Sequence, residues 1–391
     1  MAHIQAYSPQ AGLSYPSPAP SGYSHGSAHT HSHAHVQTQT EASGTDADFD
    51  FDMPETRDRR LWELRLLHNQ QSEMTQVFPT AQSDAVVRLW SHAMPALALR
   101  HGDGALLHIM FASSALNLWH RSRCAREREQ LMALQTHYLA LCFRAQQRDV
   151  ARLSAGNADY VCFTSLKIVS HSVALVQTLS DDPWEPPLQW LHMGRGAHEI
   201  FRKGAGLVNP ADGDQIITFL NSPPHLSEEN TISYERAELE WLLDHPAGDG
   251  NGGGEGGIKG EYDDEEDDDR ELEDEGTRTA YEGALSYTCS VRGAIARGEP
   301  TFAIVRRLAA FSVFVPPEFV GLLAERRPRA LVILAHFMAL WHYEDIWLIG
   351  KAGERQIRGI RMNLPPAWRR KLDGLVPPGR GHAGYQSGAP S

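Results

Sequence analysis

Along most of this chain apolar residues recur at spacings of three and four, the period that gathers them on one face of a helix. Leu61, Leu64, Leu67, Met74, Val77 and Phe78 predict such a face over 59–78. Ser83 and Asp84 read as an N-cap pair ahead of Val86, Val87 and Trp90, and Pro95 should kink or end that helix. Leu106, Ile109, Met110, Leu116 and Trp119 predict a helix over 106–119. Leu131, Leu134, Tyr138, Leu141 and Ala145 predict another over 126–150. Asn157 to Asp159 can cap a stretch running through Leu179, whose apolar positions wrap most of the circumference and place it inside a bundle.

Downstream, Leu188, Leu191, Ala197, Ile200 and Phe201 mark an amphipathic helix after Pro186–Pro187. Helices are expected over 281–295 and 301–314, and Pro316–Pro317–Glu318 is a favourable start for the next one. Pro328 restarts the chain into 330–349, where Leu331, Leu334, Met338 and Trp341 form one stripe and Ile333, Phe337 and Leu340 a second. Two stripes imply two packed neighbours. Strand-like alternation is missing, and no period of 20–50 residues points to a solenoid. The expected fold is all-α, a multi-helix bundle.

The pattern fades in three places. Residues 1–56 are rich in Ser, Pro, Gly and His, and cannot bury enough apolar area to offset an ordering cost of roughly 1–2 kcal/mol per residue. Residues 246–278 join a glycine block to an acidic run, and residues 377–391 are again rich in Gly and Pro. All three are expected to be disordered. The bundle is then built from two segments, 57–245 and 279–376, split by the acidic insert.

Charge narrows the function. The net charge is −13, yet 261–275 alone holds twelve carboxylates and one arginine, so the remainder is close to neutral. Duplex affinity needs clustered cations on phosphates, and such a body is no self-evident nucleic-acid binder. Basic clusters at Arg121–Arg123–Arg126–Arg128, Arg326–Arg327–Arg329 and Arg369–Arg370–Lys371 read as solvated cations near helix ends. Arg57, Arg59 and Arg60 form a nuclear-import candidate. The four cysteines, Cys124, Cys142, Cys162 and Cys289, lie far apart without a CxxC pair, which excludes a zinc module or disulfide framework made from them. No cationic secretory start is present, since no Lys or Arg precedes Arg57, and the longest apolar stretch, 330–341, falls short of the ~20 residues of a bilayer crossing. A soluble protein without a membrane span is expected.

Catalytic chemistry finds little support. Gly22-Tyr23-Ser24-His25-Gly26 matches the GxSxG pattern but sits in the polar tail, without the strand and helix that a nucleophile elbow needs. His25, His29, His31, His33 and His35 could gather a metal only weakly on such a chain. His336 and His342 on the apolar 330–349 helix read as core histidines, with Glu344 and Asp345 starting a polar face. HExxH, GxxxxGK[ST] and a strand-to-helix GxGxxG are all absent. The expectation is no enzyme, with no catalytic residues, no metal site and no cofactor.

Several stretches in order resemble one family. They are Leu64-Arg65-Leu66-Leu67-His68; Trp90 with Met94-Pro95-Ala96-Leu97-Ala98; Leu106-Leu107-His108-Ile109-Met110; and Ser114-Ala115-Leu116-Asn117-Leu118. Then come Pro316-Pro317-Glu318-Phe319-Val320, the run from Glu325 through Arg329 and His336 to Phe337, and Leu364-Pro365-Pro366-Ala367-Trp368. This series is similar to the C-terminal regulatory domain of fungal zinc binuclear-cluster transcription factors, especially the sterol uptake control protein-like branch, over about 57–375. The resemblance implies a helical regulatory domain of an RNA polymerase II transcription regulator. It also implies a nuclear location, shuttling with the cytoplasm, and a sterol or other lipid effector in an apolar cavity. Leu334, Phe337, Met338 and Trp341 are the candidates for one wall of that cavity. The expected partners are a second copy or co-regulator proteins. The family's six-cysteine cluster has no counterpart before Cys124. DNA would therefore be reached only indirectly, or through an upstream module lost from the gene model. The alternative is a helical scaffold that senses nothing.

Overall fold

The computed structural model describes residues 56–74, 83–209, 211, 215–226, 235–236, 239–243, 270–344 and 346–375. All regular structure among them is helical. In chain order the helices are α1 (Arg57–Ser72), α2 (Asp84–Arg88), α3 (Met94–Arg100), α4 (Ala105–Arg121), α5 (Ala125–Ala151), α6 (Ala158–Leu175), α7 (Leu188–Ala205) and α8 (Ile217–Leu220). After the acidic insert come α9 (Glu275–Ala296), α10 (Thr301–Phe314), α11 (Pro317–Ala324), α12 (Pro328–Ala339), α13 (Ala352–Asn363) and α14 (Pro366–Arg369). The all-α expectation holds. The tail with His25 to His35 and the GxSxG match lies outside the described residues.

Local chemistry accounts for the boundaries. The side chains of Thr56, Ser83 and Asp274 each accept from a backbone N–H in the first turn of α1, α2 and α9. Proline stands in the first turn of α11, α12 and α14, where its missing donor has no intrahelical partner to lose. Pro95 was expected to kink or end its helix, yet the chain continues. Between α2 and α3 a five-residue π-helical segment, Leu89–Ala93, widens the path, and the Met94 N–H donates to the Leu89 carbonyl five residues back.

Three expectations need correction. Leu61 and Leu64 are more than half exposed, whereas Leu66, Asn69 and Gln70 are buried, so α1 turns a different face inward. Hydrogen bonding selects that face. The Asn69 Nδ2 donates to Ser114 Oγ at 2.9 Å and Asn117 Oδ1 at 3.1 Å, and Ser114 Oγ donates to the Leu66 carbonyl at 2.6 Å. Second, disorder is expected through residue 278, but residues 270–278 are part of the helical body, with Leu272 buried and α9 already running from Glu275. Residues 246–269 lie outside the described residues. Third, α6 with its 3₁₀ extension, Ala158–Thr178, and not 330–341, is the stretch among the described residues long and apolar enough to cross a bilayer. It is the predicted central helix, most of it buried inside the protein.

The two sequence segments share one interior. Leu116, Val173, Trp190 and Leu191 from the first pack in the same apolar cluster as Phe311, Leu334 and Phe337 from the second. Helix α4 lies along α5 and α6, α6 along α7, α7 against α10, and α12 against α13. At the last crossing a Cβ on Gly353 would stand 2.5 Å from the Met338 carbonyl oxygen and 2.9 Å from the Trp341 Cβ, so only glycine permits the approach. One guanidinium ties the ends of the insert together. Arg329 donates to the Leu242 carbonyl and pairs with Glu271 at 2.9 Å, and Tyr281 Oη donates to the other Glu271 oxygen at 2.9 Å. Arg329 is only 1% exposed, which replaces its reading as a solvated cation.

Candidate functional site

A cavity of about 790 Å³ opens where α1, α4, α6, α7 and α10 meet the α2–α3 turn. Its size falls within the roughly 300–1,000 Å³ of small-molecule sites. The apolar wall is built by the spacing that also builds the core. On α10, Phe302, Val305, Ala309 and Val313 follow one another at three and four residues and face the space. Trp90 closes another side, held edge-on to Phe163 at 5.8 Å and to Phe219 at 5.5 Å between ring centroids. The wall also carries Leu348 from the segment between α12 and α13, so both halves of the sequence line it.

The charged groups on this wall are two cations, Lys167 and Arg306, set among Ser, Gln and His side chains. Lys167 on α6 has its pKa lowered to about 8, because burial disfavours its charged form. One turn later His171 is fully enclosed, and burial followed by the Lys167 charge lowers its pKa to about 3. The Gln135 amide nitrogen meets His171 Nε2 at 3.0 Å, and Ser113 Oγ meets Nδ1 at 3.2 Å. With the amide donating, the ring is neutral with its proton on Nδ1, which donates to the serine. Arg306 from α10 is lowered to about 10 by burial. Its Nη1 donates to the Ser222 carbonyl at 2.9 Å and to Ser222 Oγ at 3.0 Å, and the guanidinium lies 3.9 Å above the Phe219 ring centroid. No Asp or Glu is among the described residues that line the cavity.

The residues chosen from sequence lie elsewhere. Leu334, Phe337, Met338 and Trp341 come together, each at most 1% exposed, but none lines this cavity. They belong to one apolar cluster, in which Phe337 lies 3.8 Å from Phe311 with Trp190 and Trp341 around the pair. His336 is buried, its ring edge-on to Trp241, and burial lowers its pKa to about 4. His342 is exposed and is no core histidine. Arg57, Arg59 and Arg60 occupy the first turn of α1; Arg59 pairs with Glu63 at 2.8 Å, and Glu63 also accepts from Tyr138 Oη. Sequence reading missed Lys167, although a lysine between Leu166 and Ile168 in an otherwise apolar central helix was a visible signal.

The comparisons with known proteins agree on one group. The Zn(2)-C6 fungal-type transcription factor afumD of Aspergillus fumigatus is 26% identical over 275 residues, 70% of this chain and 66% of that protein. A Zn(2)-C6 fungal-type transcription factor of Gibberella zeae is 23% identical over 332 residues, 80% of this chain and 61% of that protein. This chain is similar to fungal Zn(2)-C6-type transcription factors. It spans under two thirds of the length of the curated relatives it matches. No protein-family model matches it.

The zinc cluster that names these factors does not fit the thiols of this chain. Six thiolates are required, and the sequence holds four cysteines. Cys142, Cys162 and Cys289 are buried on α5, α6 and α9, and burial pushes the Cys142 thiol far above its ordinary range, against the thiolate that a metal needs. Among the described residues no three His, Cys, Asp or Glu side chains gather as metal ligands.

Proposed function

We propose that this chain is the helical regulatory part of a fungal transcription regulator, acting in the nucleus, and that it responds to an apolar small molecule held in the cavity between α6 and α10. Kinship with the zinc-cluster factors supports the regulator role. The cavity carries the effector reading: about 790 Å³ of mostly apolar, aromatic-rich wall is costly to leave open in a close-packed interior. A ligand filling it would add roughly 0.8 kcal/mol per buried methylene. It would also bridge α6 and α10, and so bias the arrangement of the two segments.

The test is a thermal-shift panel of sterols and long-chain lipids on the full chain. A ligand at a hundred times its Kd should add about 2.7 kcal/mol and several °C to the melting temperature. A cavity-filling Ala309→Trp variant that keeps its helical circular dichroism should lose the shift. If no compound in the panel moves the wild-type transition, the effector reading fails. For the nuclear location, a fluorescent fusion bearing Arg57→Ala and Arg60→Ala should lose nuclear accumulation if these residues form the import signal.

A further inference from the structure

The polar groups of the cavity specify more than an apolar guest. Lys167 makes no hydrogen bond or ion pair with a described residue, yet it stands on an apolar wall. Other buried groups cannot serve it: His171 spends both ring nitrogens on Ser113 and Gln135, and Arg306 is a second cation. Trp347 adds another unused donor, since its buried Nε1 has no hydrogen-bond partner. The Gln70 Oε1 is the one unsatisfied buried acceptor among the described lining residues. With no carboxylate on the described wall, the site holds a surplus of positive charge and of unmet donors. Lys167 is half-buried, and leaving its ammonium and the buried Trp347 donor unmatched is unfavourable, so an anion supplied by a ligand reduces the penalty.

We propose that the ligand of this cavity is a long-chain carboxylic acid, its carboxylate held by the Lys167 ammonium and its chain lying along the α10 face of Val305, Ala309 and Val313. This inference rests on the effector reading above and adds the chemical class of the effector. It separates a fatty-acid-like guest from a neutral sterol, whose single hydroxyl would leave the cation without a counter-charge. A charge-assisted hydrogen bond is about twice as strong as a neutral one, so the head group should decide affinity as well as orientation.

The experiment is calorimetric titration of the full chain with dodecanoate, dodecan-1-ol, methyl dodecanoate and ergosterol, repeated with Lys167→Met and Lys167→Arg. Dodecanoate should bind the wild type at least tenfold more tightly than the alcohol or ester. Lys167→Met should abolish that preference while still binding the neutral compounds, and Lys167→Arg should keep it. Unchanged melting temperature in Lys167→Met shows that the variant is folded. Tight ergosterol binding that Lys167→Met does not alter overturns the carboxylate assignment and leaves the apolar-effector reading standing. Equal affinity for acid and alcohol also overturns it. No binding of any of the four overturns both.

Discussion

Single residues reveal how burial chooses between chemistry and packing. Phe337 and Trp341, selected from sequence as a ligand wall, are instead filled in on all sides by Phe311 and Trp190. Phe337→Ala should therefore cost about 3–5 kcal/mol in urea denaturation. A cost below about 1 kcal/mol would show that the ring is not packed as described. His336 supplies a pH readout. Its pKa is about 4 in the fold against an ordinary 6.5, so the native state resists a proton that the unfolded chain accepts. The stability that the neutral ring provides is complete above pH 6.5 and is lost as pH falls toward 4. The loss at pH 5 is about 2 kcal/mol. The drop in melting temperature between pH 7 and pH 5 should consequently be smaller in His336→Gln than in the wild type. His171, lowered further, acts in the same direction.

At the level of elements, α1 marks the border between legible and illegible. Its existence follows from the periodic leucines, but its orientation does not. Apolar counting favours the face of Leu61 and Leu64, whereas Asn69, Ser114 and Asn117 satisfy one another only when the opposite choice is made. A leucine in water loses less than a buried amide left without partners. Leu61→Glu should thus change stability by no more than about 0.5 kcal/mol, while Leu66→Ala should cost about 2–5 kcal/mol. Equal effects in chemical denaturation would reverse the assigned face. Helix α13, which carries Ile357 and Ile360 inward, is not legible in the sequence, because its few large apolar residues are interleaved with Arg355, Arg358 and Arg361. The π segment before Pro95 was equally hidden, since its register answers to what the proline removes two residues beyond it.

The whole molecule depends on contacts that cross the acidic insert. Arg329 gathers Leu242 from before the insert and Glu271 from after it, with the Trp368 ring 5.2 Å from the guanidinium. Removing one partner strands the other charge in a dry interior, so Arg329→Met should cost about 3–5 kcal/mol, and adding Glu271→Met should recover part of that. Additive losses in the double variant would show that the two side chains do not act as a pair. The cavity belongs to this same scale. Its wall draws on α4, α6, α7 and α10 together, and an opening of that size exists only because all of them are in place.

The sequence by itself determined that the chain is helical, where most of the long helices run, and which family the ordered motifs resemble. Those properties are set by neighbours within a few turns, through periodicity, caps and proline. The tertiary structure alone decided that α1 buries its amides, that Arg329 is an interior tie and that Lys167 stands on a cavity wall. Each of these joins residues far apart in the chain, as the 87 positions between Leu242 and Arg329 and the 58 between Ser113 and His171 show. Burial and hydrogen-bond satisfaction at such separations are properties of the packed whole, and no local pattern encodes them.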